Sequence, residues 1–106
     1  MCTNKSKITY DVSREDRADE LFQTAIAPVL DEMVTQGLIG GWSWNAHSVG
    51  GDFRRLLVYE ADDHPALIRA TGRLNAQIDA RAEKEGREFN AICNRHHDYM
   101  WDISSR

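Results

Sequence analysis

Gly40-Gly41-Trp42-Ser43-Trp44-Asn45-Ala46-His47-Ser48-Val49-Gly50-Gly51-Asp52-Phe53-Arg54-Arg55-Leu56-Leu57-Val58-Tyr59 is the stretch around which the rest of the chain is arranged. Side chains of an extended chain alternate between two faces, so Trp42, Trp44 and Ala46 share one side while Ser43, Asn45, His47 and Val49 share the other. Gly50-Gly51-Asp52 supplies a turn between apolar runs, and residues 53–59 return as the second arm of an antiparallel hairpin. In that returning strand Leu56 and Val58 oppose Arg55, Leu57 and Tyr59. Both faces are partly apolar, and a strand of this kind is expected to be covered on both.

A helical pattern lies on each side of the hairpin. Upstream, Leu21, Phe22, Ala25, Ile26, Val29, Leu30, Met33 and Val34 recur at three- and four-residue intervals, which predicts a helix over residues 14–36. Ser13 is its expected N-cap, Glu15 and Asp16 suit the positive end of the helix dipole, and Gly37 is the expected stop. Pro28 lies inside the stripe, where a proline removes a donor and collides with the preceding turn at a cost of about 3 kcal/mol. A kink is expected there; two short helices broken at Ala27 are the alternative, disfavoured because the stripe keeps its phase across the proline. Before this helix, residues 7–12 alternate as a first strand with Ile8, Tyr10 and Val12 on one side, and residues 1–6 are expected to be a flexible tail.

Downstream, Asp62-Asp63-His64-Pro65 places carboxylates at a cap and proline in a first turn, the chain's clearest helix start. Ala66, Leu67, Ala70, Leu74 and Ile78 continue one face, Gly86 is a candidate end or interruption, and Phe89, Ile92 and Cys93 could extend the apolar side. In a last strand Tyr99, Trp101 and Ile103 alternate with Asp98, Met100 and Asp102. The order is strand, helix, strand, strand, helix, strand. The 106 residues, 42% hydrophobic and 28% charged, fit one globular domain spanning residues 1–106.

A formal charge of −4 argues against nucleic acid as a partner, since the basic excess that phosphate backbones attract is missing. No window approaches the roughly 20 apolar residues of a membrane span, and the polar opening lacks a signal peptide's apolar region, so a cytoplasmic protein without membrane attachment is expected. Cys2 and Cys93 form neither a disulfide framework nor a paired metal motif; Cys93 reads as a small buried hydrophobe.

Two helices and four strands in this βαββαβ order form, in the ferredoxin-like α+β arrangement, a four-stranded antiparallel sheet with both helices on one face. The uncovered face would leave apolar residues in water unless a second copy covers it. In element order, length and two-faced sheet, residues 8–103 resemble the dimeric α+β barrel superfamily, which includes antibiotic-biosynthesis-type monooxygenases. The resemblance implies sheet-to-sheet homodimers and pockets between sheet and helices, but carries no motif that fixes an activity.

The residues that could carry chemistry are few. Asn45 and His47 fall side by side on one strand face and could orient and protonate a ligand, while the tryptophans more simply pack a core or dimer interface. In Arg95-His96-His97-Asp98, adjacent histidines of a strand point to opposite faces and cannot easily share an ion, so no metal site is expected. His64 reads as a surface residue beside the helix cap. Arg54 and Arg55 split between faces, with solvent exposure or an ion pair to Glu60 as their simplest roles. Phosphate-binding glycine motifs are absent, and no cofactor is expected. The candidate pocket is Trp44, Asn45, His47, Tyr59, His97 and Trp101. A homodimer binding a small apolar or aromatic molecule is the first reading. A cofactor-independent monooxygenase-like enzyme or a pure protein-assembly module are the alternatives.

Overall fold

The structure, a computed structural model, describes residues 2–9, 14–46, 55–93 and 95–102, with the side chains of Lys5, Ser6, Lys7, Thr9, Arg95, His96 and His97 outside that description. Strand β1 (Cys2–Thr9) is followed by a helical run made of α1 (Glu15–Leu21), a π-helical segment (Phe22–Ile26) and α2 (Ala27–Thr35). Then come β2 (Gly41–Ala46), β3 (Arg55–Ala61), α3 (His64–Ile92) and β4 (Arg95–Asp102). The four strands form one antiparallel sheet in the order β2-β3-β1-β4. The expected ferredoxin-like α+β architecture is therefore present.

Register sorts the side chains. Trp42, Trp44 and Ala46 of β2 lie level with Tyr59, Leu57 and Arg55 of β3, and these with Asn4 and Ile8 of β1. That face packs under the helices in one core with Leu21, Phe22, Leu30, Met33, Leu67, Leu74, Phe89 and Ile92. The opposite face carries Ser43, Asn45, Leu56, Val58, Thr3, Tyr99 and Trp101. Trp101 is 55% exposed and Tyr99 39%, the two rings 6.3 Å apart, so apolar groups do stand on both surfaces of the sheet.

Residues 2–6 are not a tail. Cys2–Thr9 is an inner strand, paired to β3 on one edge and β4 on the other, which satisfies its backbone groups on both sides despite its polar composition. The first strand thus starts five residues before the expected one; Tyr10, Val12 and the expected cap Ser13 lie outside the described residues. So do His47, Val49, the Gly50-Gly51-Asp52 turn, Phe53, Arg54 and Ile103.

Pro28 does not kink a continuous α-helix. The π segment inserts an extra residue just before it, with the Ala27 N–H donating to Phe22 C=O five residues back. Pro28 then falls in the first turn of α2, where its missing donor costs little and no preceding α-turn meets its ring. Gly37 closes α2 at φ +76°, with its N–H on Val34 C=O at 3.0 Å and the Leu38 N–H on Met33 C=O at 2.9 Å, the paired bonds of a left-handed glycine stop. At the start of α3 the Asp63 side chain accepts from Ala66 N–H at 2.8 Å with Pro65 in the first turn, as its sequence predicts.

Gly86 does not end α3. The break comes at Ala82, whose φ of −148° and ψ of 48° are not helical, and the chain bends there and resumes through Gly86 to Ile92. The bend brings the buried Gly86 against Ile78; a Cβ on residue 86 would sit 2.7 Å from Ile78 Cγ2. Because that methyl is on a β-branched carbon with little freedom to move, Gly86→Ala is expected to cost about 1–3 kcal/mol by overpacking, although alanine is the better helix former. The urea midpoint measures it; a midpoint equal to or above wild type would show that the two halves of α3 do not pack this closely.

Candidate functional site

A cavity of about 550 Å³ lies between α3 and the sheet. Both halves of α3 wall it, Thr71, Leu74 and Ile78 before the bend and Phe89 and Cys93 after it. Its floor is Asn4 and Ile8 of β1 and Leu57 and Tyr59 of β3, with Asp98 and Met100 of β4 at one side. The apolar side chains share the lining with polar and charged ones, Asn75, Asp79, Arg87, Asn90 and Asp98 among them. A larger depression of about 690 Å³, between residues 36–40 and the start of α3, has mostly exposed groups such as Gln36, Arg69 and Arg73 on its rim and no buried polar side chain among its walls.

Within the cavity the polar groups are specific. Asn4 is one of two buried polar side chains among the described residues. The buried Tyr59 hydroxyl shares a 2.6 Å hydrogen bond with Thr71 Oγ1. Two hydroxyls carry two protons and one is used between them, so one remains to donate to a ligand oxygen. Burial pushes the Tyr59 phenol above its ordinary value, against a smaller opposite effect of the Thr71 bond, and keeps it a neutral donor at physiological pH. Burial, and after it the Asp19 carboxylate, pushes the Cys93 thiol up to about 12.

The six candidate residues divide. Tyr59 lines this cavity, and Trp44 is on the same sheet face. Asn45 and Trp101 are on the opposite face, because neighbours along a strand alternate, and Asn45 Nδ2 there donates to Ser43 Oγ at 2.9 Å and to Leu56 C=O at 3.1 Å. His47 lies outside the described residues; residue 97 occupies an open-face register position on β4, level with Lys7, and its side chain is not described. Trp44 and Asn45 thus stand on opposite faces of β2. Sequence reasoning missed Asn4, Thr71 and Leu74, whose only signals were a polar residue in an apparent tail and ordinary helix positions.

Trp44 instead builds the wall beside the cavity. Its ring stacks on Phe22 at 4.1 Å and 9°, and Phe89 stands 6.2 Å from it. The Trp44 indole N–H donates to Asp19 Oδ1 at 3.1 Å, and Trp42 does the same to Asp31 Oδ1 at 2.9 Å, so both indoles are satisfied from the helices above. Arg55 completes the anchor. It is on the helix face, not beside Glu60, which register places on the other side; its guanidinium grips Asp19 at 2.8 and 3.1 Å and Glu15 at 2.7 Å, with its side chain only 10% exposed. The simple expectation of an exposed arginine or a Glu60 pair is corrected accordingly.

The Arg55 hydrogen bond, and then the Trp44 N–H, hold the Asp19 carboxyl below its ordinary 3.8. A depressed carboxyl contributes stability that is fully present above its unfolded value and lost as pH falls through the folded one. Asp19→Asn is therefore expected to be less stable than wild type at pH 7, with the gap in urea midpoint shrinking as the pH drops below about 4. A gap independent of pH would remove the carboxylate from the anchor. For Cys93, alkylation at pH 8 should run at least about a hundredfold slower in the native protein than in urea, since a thiol near its ordinary value of roughly 8.5 is far more ionised. Equal rates would contradict its burial.

No family model matches the chain, and no curated protein matches it by sequence. Solved structures do match it. An uncharacterized NIPSNAP domain protein from Burkholderia xenovorans superposes with a TM-score of 0.75 at 9% identity, covering 99% of this chain and 96% of that one. A dimeric ferredoxin-like protein from an uncultured marine organism gives 0.76 at 9% identity over 99% of this chain and 89% of the other. The heme-degrader MhuD from Mycobacterium tuberculosis, with two hemes bound in its active site, gives 0.73 at 10% identity over 100% and 98%. At such identities the likeness speaks to architecture alone. The chain has the ferredoxin-like fold of these solved structures.

Proposed function

We propose that this protein binds a small apolar or aromatic molecule in the cavity between α3 and the sheet, and works as a homodimer joined through the open sheet face. The observation that carries the first part is the cavity itself: about 550 Å³ whose lining joins apolar side chains to polar ones and includes Tyr59 and Thr71, the hydrogen-bonded hydroxyl pair. A ligand with a flat apolar body and one carbonyl or ether oxygen matches that lining. The heme-bound mycobacterial neighbour supports the reading, in that the same fold there takes up a large aromatic ligand. For the second part the support is the open-face strip of half-buried Leu56 and Val58 with exposed Tyr99 and Trp101, together with the neighbours described as dimeric. No helix among the described residues is long and apolar enough to cross a membrane, and the proposal places the protein in the cytoplasm. A monooxygenase-like reaction on the bound molecule is the second reading, favoured by the spare hydroxyl donor that could hold a substrate carbonyl in place.

A panel of planar aromatic compounds screened by thermal shift should give saturable stabilisation, and Asn75→Trp, at the cavity lining on an exposed position of α3, should weaken it at least tenfold without changing the unliganded melting point by more than a few degrees. No saturable binder, or binding indifferent to Asn75→Trp, removes the cavity from the function and leaves the assembly module. Oxygen consumption with a confirmed binder separates enzyme from binding protein. Light scattering on a sizing column should give twice the 12.1 kDa of one chain, and Trp101→Lys should shift it towards a single chain. A wild-type monomer at tens of micromolar ends the dimer proposal.

A further inference from the structure

Beyond the cavity, the end of the sheet gathers a second set of chemical groups. We propose that Cys2, His64 and Asp102 bind one divalent metal ion of the zinc type. Cys2 opens β1 and Asp102 closes β4, and the two are direct register partners on the helix-side face of the sheet. His64 is the first residue of α3. Three distant parts of the chain therefore meet at one point. Cys2 Sγ donates to Asp102 Oδ1 at 3.1 Å, and His64 Nε2 lies 3.2 Å from that same oxygen. The three ligand atoms all fall within 4.8 Å of one another.

Those separations suit a tetrahedral ion. With metal–sulfur near 2.3 Å and metal–nitrogen or –oxygen near 2.0 Å, tetrahedral ligands stand about 3.3–3.5 Å apart, so small side-chain adjustments admit the metal. The donor set of one thiolate, one imidazole and one carboxylate selects zinc, cobalt and similar ions over magnesium or calcium, which require oxygen cages. Cys2 is 3% exposed, whereas His64 and Asp102 are exposed, so the sulfur holds the ion from the protein side and a fourth position faces water. On binding, the thiol proton passes to solvent and the sulfur–metal bond replaces the Sγ–Oδ1 hydrogen bond. A cysteine nucleophile is the competing use of the same residues, but the arrangement is wrong for it. The thiol bonds to the carboxylate and not to the imidazole, so the group on the sulfur is a weak carboxylate base in place of the histidine that a thiol nucleophile uses. The ion would fasten the beginning of β1, the end of β4 and the start of α3 to one another.

Cobalt(II) is the probe, added to the full chain after purification tags are removed and metals stripped by chelation. A thiolate-to-cobalt charge-transfer band should rise and saturate at one equivalent per chain, and zinc should abolish it. Cys2→Ser should lose the band, and His64→Ala and Asp102→Asn, at exposed positions that tolerate substitution, should each raise the cobalt dissociation constant at least tenfold. Cys93→Ser should change nothing. The proposal is overturned if no charge-transfer band forms, if the band survives Cys2→Ser or vanishes in Cys93→Ser, or if His64→Ala and Asp102→Asn both bind cobalt as wild type does. These outcomes do not depend on whether the cavity takes an organic ligand.

Discussion

The bend of α3 at Ala82 is the constraint on which the site depends. By breaking at one non-helical residue and pressing Gly86 onto Ile78, the helix presents two arms to the sheet at different angles, and the cavity is the volume between those arms and β1, β3 and β4. The absence of a side chain at Gly86 sets how closely the arms approach. Asn4, Tyr59 and Thr71 stand on the sheet and on the arm before the bend, and Phe89 and Cys93 reach the same cavity from beyond it.

A second layer of control holds the other helical run in place. Arg55 and Trp44, two side chains on the helix face of the β2–β3 hairpin, converge on Asp19, so a single carboxylate of α1 accepts from an indole and a guanidinium. A partly buried ion pair of this kind offers specificity more than net stability, because desolvating the charges offsets much of their attraction. The exposed bidentate pairs of Arg17 with Glu88 and Arg81 with Glu32 tie α1 and α2 to α3 more loosely.

The architecture was legible in the sequence because the hairpin and both amphipathic stripes follow clean periods. The core positions Leu21, Phe22, Leu30, Leu67 and Leu74 fall where those periods put them. The first strand was misplaced because Cys2-Thr3-Asn4-Lys5-Ser6-Lys7 has almost no residues with strand preference; it is a strand because both its edges find partners, which is a tertiary fact. The cavity was only partly legible. Tyr59 was in view, but its partner Thr71 and the floor residue Asn4 become its neighbours through the packing of α3 on the sheet and the sheet register, neither of which leaves a local pattern. Ala82 in particular is the residue type least suggestive of a break. Likewise Cys2, His64 and Asp102 have no spacing that any motif would register.

The π segment also sets the angular phase of the helical run. Asp19 and Asp31 are twelve positions apart, and at about 100° per residue an unbroken α-helix would leave them roughly a third of a turn out of line. The wider coil of Phe22–Ile26 takes back most of that difference, so the two carboxylates hang over the same strand and each captures one of its indoles. The insertion before Pro28 thus acts as an angular spacer. Refolding the same residues as an unbroken α-helix would swing α2 by nearly a third of a revolution and carry Asp31 away from Trp42, with composition and length unchanged.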